Sequence, residues 1–244
     1  MGDAGDEPVG PAATRPIGRR AVLGMLGVGA AGVVWGSNVQ AWLERTLRPI
    51  TMNDSTGLSS LLPTAGRFRI YSVVGRLPER STAEYELRID GLVARPLRLS
   101  YRDLHALPET HLVRDFQCVT GWRVADVPWR GVKLSELFDR AQLAPEATHV
   151  RLYSFDGVYT ESLSLEQAMR DDVIVAYEML DKPVTREHGG PVRLYVAPMY
   201  GYKSLKWLER IELVDREIPG YWEERGYDVD AWVGRSNGRS DSPV

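Results

Sequence analysis

Residues 114–141 read RDFQCVTGWRVADVPWRGVKLSELFDRA. The segment opens inside THLVRDFQC (110–118), which reads as a strand. It closes on KLSELFDRA (133–141), where Leu134, Leu137 and Phe138 fall at i, i+3 and i+4, one face of a helix. At the strand end stands Cys118, the single cysteine of 244 residues. One thiol forms no intrachain disulfide and cannot build a multi-thiolate zinc or iron–sulfur site. From the residues alone three readings stay open: a buried structural thiol, a nucleophile, or a lone metal-ligating thiolate. A nucleophile needs a base, and nothing in the order of the chain brings His105, His111, His149 or His188 to Cys118. A single-thiolate metal site needs its other ligands from a cofactor.

Working outward, YELRIDG (85–91) alternates and ends at glycine, as a strand does. SYRDLHAL (100–107) reads as a short helix, with Ser100 as N-cap, Asp103 at the third helical position and Pro108 as its stop. HVRLYSF (149–155) and VYTESL (158–163) read as strands around Asp156-Gly157. SLEQAMRD (164–171) has the spacing of a capping box, Ser164 with Gln167. VIVAYEM (173–179) reads as a buried strand. PVRLYVAP (191–198) alternates, which puts Arg193 and Tyr195 on a polar face opposite Val192, Leu194 and Val196. A short helical turn is expected near Ser204–Lys206, followed by a strand. Short strands and helices without regular βαβ alternation, and without an internal repeat, predict an α+β fold.

The 114–141 segment resembles the signature of the sulfite-oxidase-like molybdopterin oxidoreductases, in which a strand-end cysteine is followed by W-x-G-[VF]-x-L and a helix. HGGPVRLYVAPMYGYKSLKWLERIEL (188–213) resembles the family's second signature, and IPGYWEERGYD (218–228) its C-terminal motif. The resemblance implies an α+β fold of the sulfite-oxidase type, a mixed β-sheet core with surrounding short helices, here preceded by an apolar N-terminal helix. It implies a molybdenum–molybdopterin cofactor in the mono-pterin form, with Cys118 as metal ligand, the one soft thiolate such a metal takes from the protein. For the cofactor it further implies Arg193, Ser204 and Lys206 at the phosphate, and His188, Ser154, Tyr71 and Ser72 elsewhere on the pterin or near the metal. Arg123 falls where sulfite oxidases place an anion-binding arginine, and Tyr159 is a candidate proton or hydrogen-bond donor. The C-V-x-x-W form of Cys118–Trp122, and the likeness of YTESLSLEQAM (159–169) to a reductase run, lie closer to the periplasmic methionine-sulfoxide reductase catalytic subunits.

The expected chemistry is therefore oxygen-atom transfer, as reduction of an S-oxide or N-oxide such as methionine sulfoxide. Sulfite oxidation is the alternative, and a non-catalytic membrane-associated module of the same fold a third reading. No haem-binding or immunoglobulin-like stretch is recognised, so a membrane haem or quinone-linked redox partner and a monomeric catalytic subunit are expected. A net charge of −3 gives no electrostatic case for nucleic acid.

The N-terminus reads differently. Residues 1–18 are rich in Gly, Pro, Ala and Asp without a hydrophobic period, the composition of a disordered segment. Arg19-Arg20 precede 23 uncharged residues, 21–43. This resembles a twin-arginine export signal, although Gly18 and Gly24 depart from the fuller pattern. The same run is a candidate membrane anchor. Expected segments are 1–18 disordered, 19–43 signal or anchor, 44–66 linker, 67–230 oxidoreductase domain and 231–244 polar tail. The expected destination is the far side of the cytoplasmic membrane, in the periplasm or on its outer face.

Overall fold

The computed structural model describes residues 68–239. The expected signal or anchor and the linker lie outside the described residues. Among the described residues no helix is long and apolar enough to cross a membrane.

Two five-stranded sheets make up the fold. The first has the order β2 (Leu97–Ser100), β1 (Glu86–Gly91), β10 (Leu208–Val214), β5 (His149–Ser154), β6 (Thr160–Ser164). Its β1–β10 pair is parallel and its other pairs antiparallel, so the sheet is mixed. The second has the order β3 (Thr110–Gln117), β4 (Arg123–Lys133), β7 (Val173–Met179), β8 (Lys182–Pro183), with β9 (Arg193–Val196) also pairing with β7. Among the described residues the α-helices are few and short: α1 (Tyr101–His105), α2 (Leu134–Ala141) and α3 (Leu165–Ala168). Both expected capping boxes form, Ser100 with Asp103 and Ser164 with Gln167. Each satisfies two amide donors that a helix start leaves free.

The run VIVAYEM has no polar face because β7 is covered on both sides. Val173, Val175 and Tyr177 enter the main core, together with Ile89, Val150, Ile211 and Phe138. Ile174, Ala176 and Met179 enter a second cluster with Phe116, Trp122, Trp129 and Tyr195. On α2, Leu134, Leu137 and Phe138 are buried as the periodicity requires. Each contributes about 1.5–3 kcal/mol of transfer free energy.

The structure departs from the sequence pattern in four places. The strand β4 is hidden in the sequence, because Pro128 and Gly131 interrupt its pattern and a register shift opposite Arg114–Phe116 breaks its period. The short edge strand β2 is likewise not evident from the residues. The 201–207 stretch is an irregular turn, not a helical one. Side chain and backbone of Ser204 are both committed to tertiary bonds: its Oγ accepts from the Val196 amide at 3.0 Å and its carbonyl from Arg193 at 2.8 Å. Finally, packed structure continues beyond residue 230. Ala231, Val233 and Ser236 are buried, and Trp232 bridges to Met199.

Gly131 lies against β7, where an added Cβ would run into the Val175 carbonyl. A backbone group cannot turn aside as a side chain can. Gly131→Ala is therefore expected to destabilise the fold by about 1–3 kcal/mol or more, read as a lower urea midpoint at unchanged slope. An unchanged midpoint would show that the two strands can separate freely there.

Candidate functional site

Cys118 sits one residue past β3, where the chain reverses. Its amide donates to the Trp122 carbonyl and its carbonyl accepts from the Gly121 amide, both at 2.9 Å. Gly121 has φ +97°, a conformation that favours glycine, which is why the turn can be this tight. The turn leaves the Cys118 thiol half-buried, with Sγ 3.2 Å from the Thr120 hydroxyl.

The thiol lines a cavity of about 480 Å³. Its wall also includes Tyr71, Ser72, Tyr159, His188, Arg193, Ser204 and Lys206, so one space gathers eight of the ten residues singled out in the sequence. Arg123 and Ser154 are not part of this wall. Arg123 is ion-paired with Asp115 across the β3–β4 pair. The buried Ser154 hydroxyl accepts from the Asp156 amide at 3.1 Å and shapes the β5–β6 turn.

Arg193 is not on a solvated strand face; it is 1% exposed. Its guanidinium lies near the Phe116 and Trp129 rings and donates to the carbonyls of His188, Leu194 and Ser204. Lys206 Nζ donates to the carbonyls of Tyr71 at 3.1 Å and Glu187 at 2.8 Å. Hydrogen bonds from both cations thus end on neutral oxygens. Burial, and then the charge of Arg193, push Lys206 down to about 7, while Glu187 offsets part of this. Burial lowers Arg193 to about 10. His188 is pushed down to about 4 by burial and by both cations, so its imidazole is neutral at pH 7. Gly189 allows this crowding, since a Cβ there would lie 2.6 Å from Lys206 Cβ.

Aromatic groups furnish much of the remaining wall. Phe116 and Trp122 stack at 5.7 Å, and Tyr71 stacks on Trp122 at 6.4 Å. Tyr159 stacks on Tyr221 at 5.6 Å, and its hydroxyl donates to the Tyr202 carbonyl at 2.7 Å. Burial raises Tyr159 well above the ordinary phenol value, so it keeps its proton. Two polar wall atoms are buried without a hydrogen-bond partner, Trp122 Nε1 and Asp156 Oδ2. Sequence reasoning singles out Tyr71 and Tyr159 but neither Asp156 nor the rings they stack on. The motifs at 114–141 and 218–228 contain Phe116, Trp122, Tyr221, Trp222 and Tyr227, but a motif does not say which way a ring faces.

Three relatives and one solved structure bear on this arrangement. An uncharacterized oxidoreductase of Bacillus subtilis, YuiH, is 35% identical over 61% of this chain and 76% of its own. The protein-methionine-sulfoxide reductase catalytic subunit MsrP of Gluconobacter oxydans is 31% identical over 65% of this chain and 56% of its own. The sulfite oxidase of Arabidopsis thaliana is 28% identical over 59% of this chain and 46% of its own. The chain thus spans about half the length of the latter two. The crystal structure of the sulfane dehydrogenase SoxCD from Paracoccus pantotrophus superposes with a TM-score of 0.54 at 27% identity, over 57% of this chain and 40% of that one. The model of the oxidoreductase molybdopterin binding domain matches residues 74–222, well over half of the chain and most of the cavity wall. By that match the protein belongs to the sulfite-oxidase-like molybdopterin oxidoreductases, enzymes built on a molybdopterin cofactor.

Proposed function

We propose that this chain is an exported molybdenum oxidoreductase that reduces a neutral S-oxide or N-oxide, of which methionine sulfoxide is the type. The observation that carries this reading is the division of the cavity. Its buried Arg193 and half-buried Lys206 fit the cofactor, and the half-buried thiol stands among aromatic rings.

The residues fit a mono-pterin molybdenum cofactor. Arg193 and Lys206, lacking bonds to carboxylates, suit an anionic phosphate. His188, the Tyr71–Ser72 segment and the orphaned Trp122 Nε1 and Asp156 Oδ2 offer donors and acceptors to a heterocycle edge. Cys118 is the single soft thiolate available as metal ligand. When bound, the group supplies two-electron redox chemistry and accepts or donates an oxygen atom.

The protein's own part is selection and orientation. The rings of Phe116, Tyr71, Trp122 and Tyr221 exclude water and favour a neutral, apolar substrate. A sulfite dianion would need strong positive charge near the metal. Arg123 is engaged by Asp115 instead, which supports the reductase reading.

On this reading residues 19–43 export or anchor the chain, the oxidoreductase domain runs from residue 67 past 230 into the packed residues up to Ser236, and a membrane haem or quinone-linked partner delivers electrons to a monomeric subunit. The test is a metal analysis of the purified full chain, followed by two assays: methionine sulfoxide with a reduced dye, and sulfite with an oxidised dye. Near-stoichiometric molybdenum with sulfoxide reduction is expected. Sulfite turnover without sulfoxide reduction would favour the oxidase alternative, and absence of molybdenum the non-catalytic one.

A further inference from the structure

Next to the cavity wall lies a charged cluster that the roles above do not use. Glu161 on β6, Lys203 in the 201–207 turn and Glu223 in a 3-10 turn (Glu223–Arg225) have side chains 0%, 0% and 1% exposed. Lys203 Nζ donates to Glu161 Oε2 at 2.8 Å and to Glu223 Oε1. Among the described residues the ion pairs of both carboxylates run to this one ammonium.

Fully ionised, the three groups would carry a buried charge of −1. An uncompensated buried charge costs several kcal/mol, so the neutral state keeps one proton on the two carboxyls. Glu223 Oε2 is buried without a hydrogen-bond partner, so it is an oxygen on which such a proton can sit. Burial pushes Glu161 up to about 8; Lys203 opposes this and Glu223 adds to it. Burial disfavours charge on Lys203, but the two carboxylates outweigh it and raise its pKa. The other titratable groups facing the cluster are Tyr159, which precedes β6, and Tyr202 in the turn. Tyr202 in turn feels Asp228 of the C-terminal segment.

Tyr159 joins this cluster to the cavity. Its hydroxyl lies 3.3 Å from Glu161 Oε1 and rests on the Tyr202 carbonyl at 2.7 Å, a bond it must leave to hand a proton on, and Tyr159 lines the cavity wall. We propose that Glu161 and Glu223, bridged by Lys203, store one exchangeable proton and pass it through the Tyr159 hydroxyl into the cavity. This rests on the reductase reading. Reduction of a sulfoxide consumes two protons and two electrons, and yields the thioether and water. The sulfur–oxygen bond breaks and two O–H bonds form. The electrons come from the reduced cofactor, recharged by the redox partner. One proton comes from the carboxyl pair, Tyr159 giving its own proton as it receives one from Glu161. The second proton, and the one that refills the pair, come from solvent.

The test is infrared spectroscopy of the full chain, which needs no cofactor turnover. The C=O stretch of a protonated carboxylic acid is expected at pH 6 and lost as pH rises through about 8. Glu161→Gln and Glu223→Gln should each abolish it, because the remaining carboxylate pairs one to one with Lys203. Near-UV circular dichroism checks that both amide variants keep the fold. The wild-type titration stands without them. On transfer to heavy water the band should shift quickly in the wild type and at least ten-fold more slowly in Tyr159→Phe. No such band at pH 6, or one unchanged to pH 10, would overturn the stored proton. Exchange indifferent to Tyr159→Phe would overturn the route. A band and exchange as stated, in a molybdenum-loaded protein that reduces no S-oxide, would uphold the store and sink the substrate reading instead.

Discussion

Cys118→Ala is expected to remove turnover while leaving the fold intact. The side chain is half-buried in the cavity wall and packs only against the edge of the second hydrophobic cluster, so trimming one sulfur atom leaves little new void. A ligand role predicts a far larger effect. Loss of the residues that merely support a metal ligand costs about 10–100-fold, so loss of the ligand itself should exceed about 100-fold. Cys118→Ser separates ligation from packing. Serine fills nearly the same space and keeps a hydroxyl for Thr120, yet offers a hard oxygen where a soft thiolate is needed. A packing role tolerates serine; a ligand role does not. The measurement is kcat for S-oxide reduction beside molybdenum content and near-UV circular dichroism. Activity within a few-fold of wild type in a molybdenum-replete Cys118→Ala protein would end the ligand assignment.

The legible and illegible parts of this molecule divide along a physical line. Local patterns hold: the capping boxes at Ser100 and Ser164 and the buried face of α2 depend on residues three or four apart. Cavity residues are legible only when three motifs are read together, since His188 and Cys118 share no local pattern. What the sequence hides depends on distant or non-local partners. Arg193 alternates as a surface strand residue would, but β9 is covered on both faces, and the arginine is sealed under aromatic rings. Arg123 is a free cation until the bulged strand pair brings Asp115, two residues before Arg123's register partner Gln117, within reach of it. The Glu161–Lys203–Glu223 cluster joins β6 to two separate turns, which no window on the sequence could bring together.

Lys206→Met should have opposite effects on the cofactor-free and cofactor-loaded protein. In the cofactor-free protein the ammonium is half-buried near Arg193, with neutral carbonyls as hydrogen-bond acceptors and Glu187 and His188 as its other titratable neighbours. Its folded pKa, about 7, lies below the unfolded value of 10.5. Between those values the unfolded chain binds more protons than the folded one, so this lysine makes stability rise with pH from about 7 to 10.5. Below 7 the cost of charging it is fully present. Methionine keeps the apolar stem near Trp207 and removes the charge. The cofactor-free variant should then melt no lower than wild type at pH 6, with a flatter stability profile between pH 7 and 10. A bound phosphate reverses the balance, because the ammonium gains the anion it lacks. Truncating one partner of such a buried charge pair costs about 2–5 kcal/mol, which is roughly 30-fold or more in cofactor retention. Thermal melts at several pH values and molybdenum content after dialysis measure the two halves. A surface lysine of no functional weight would move neither, and a purely structural one would lower both.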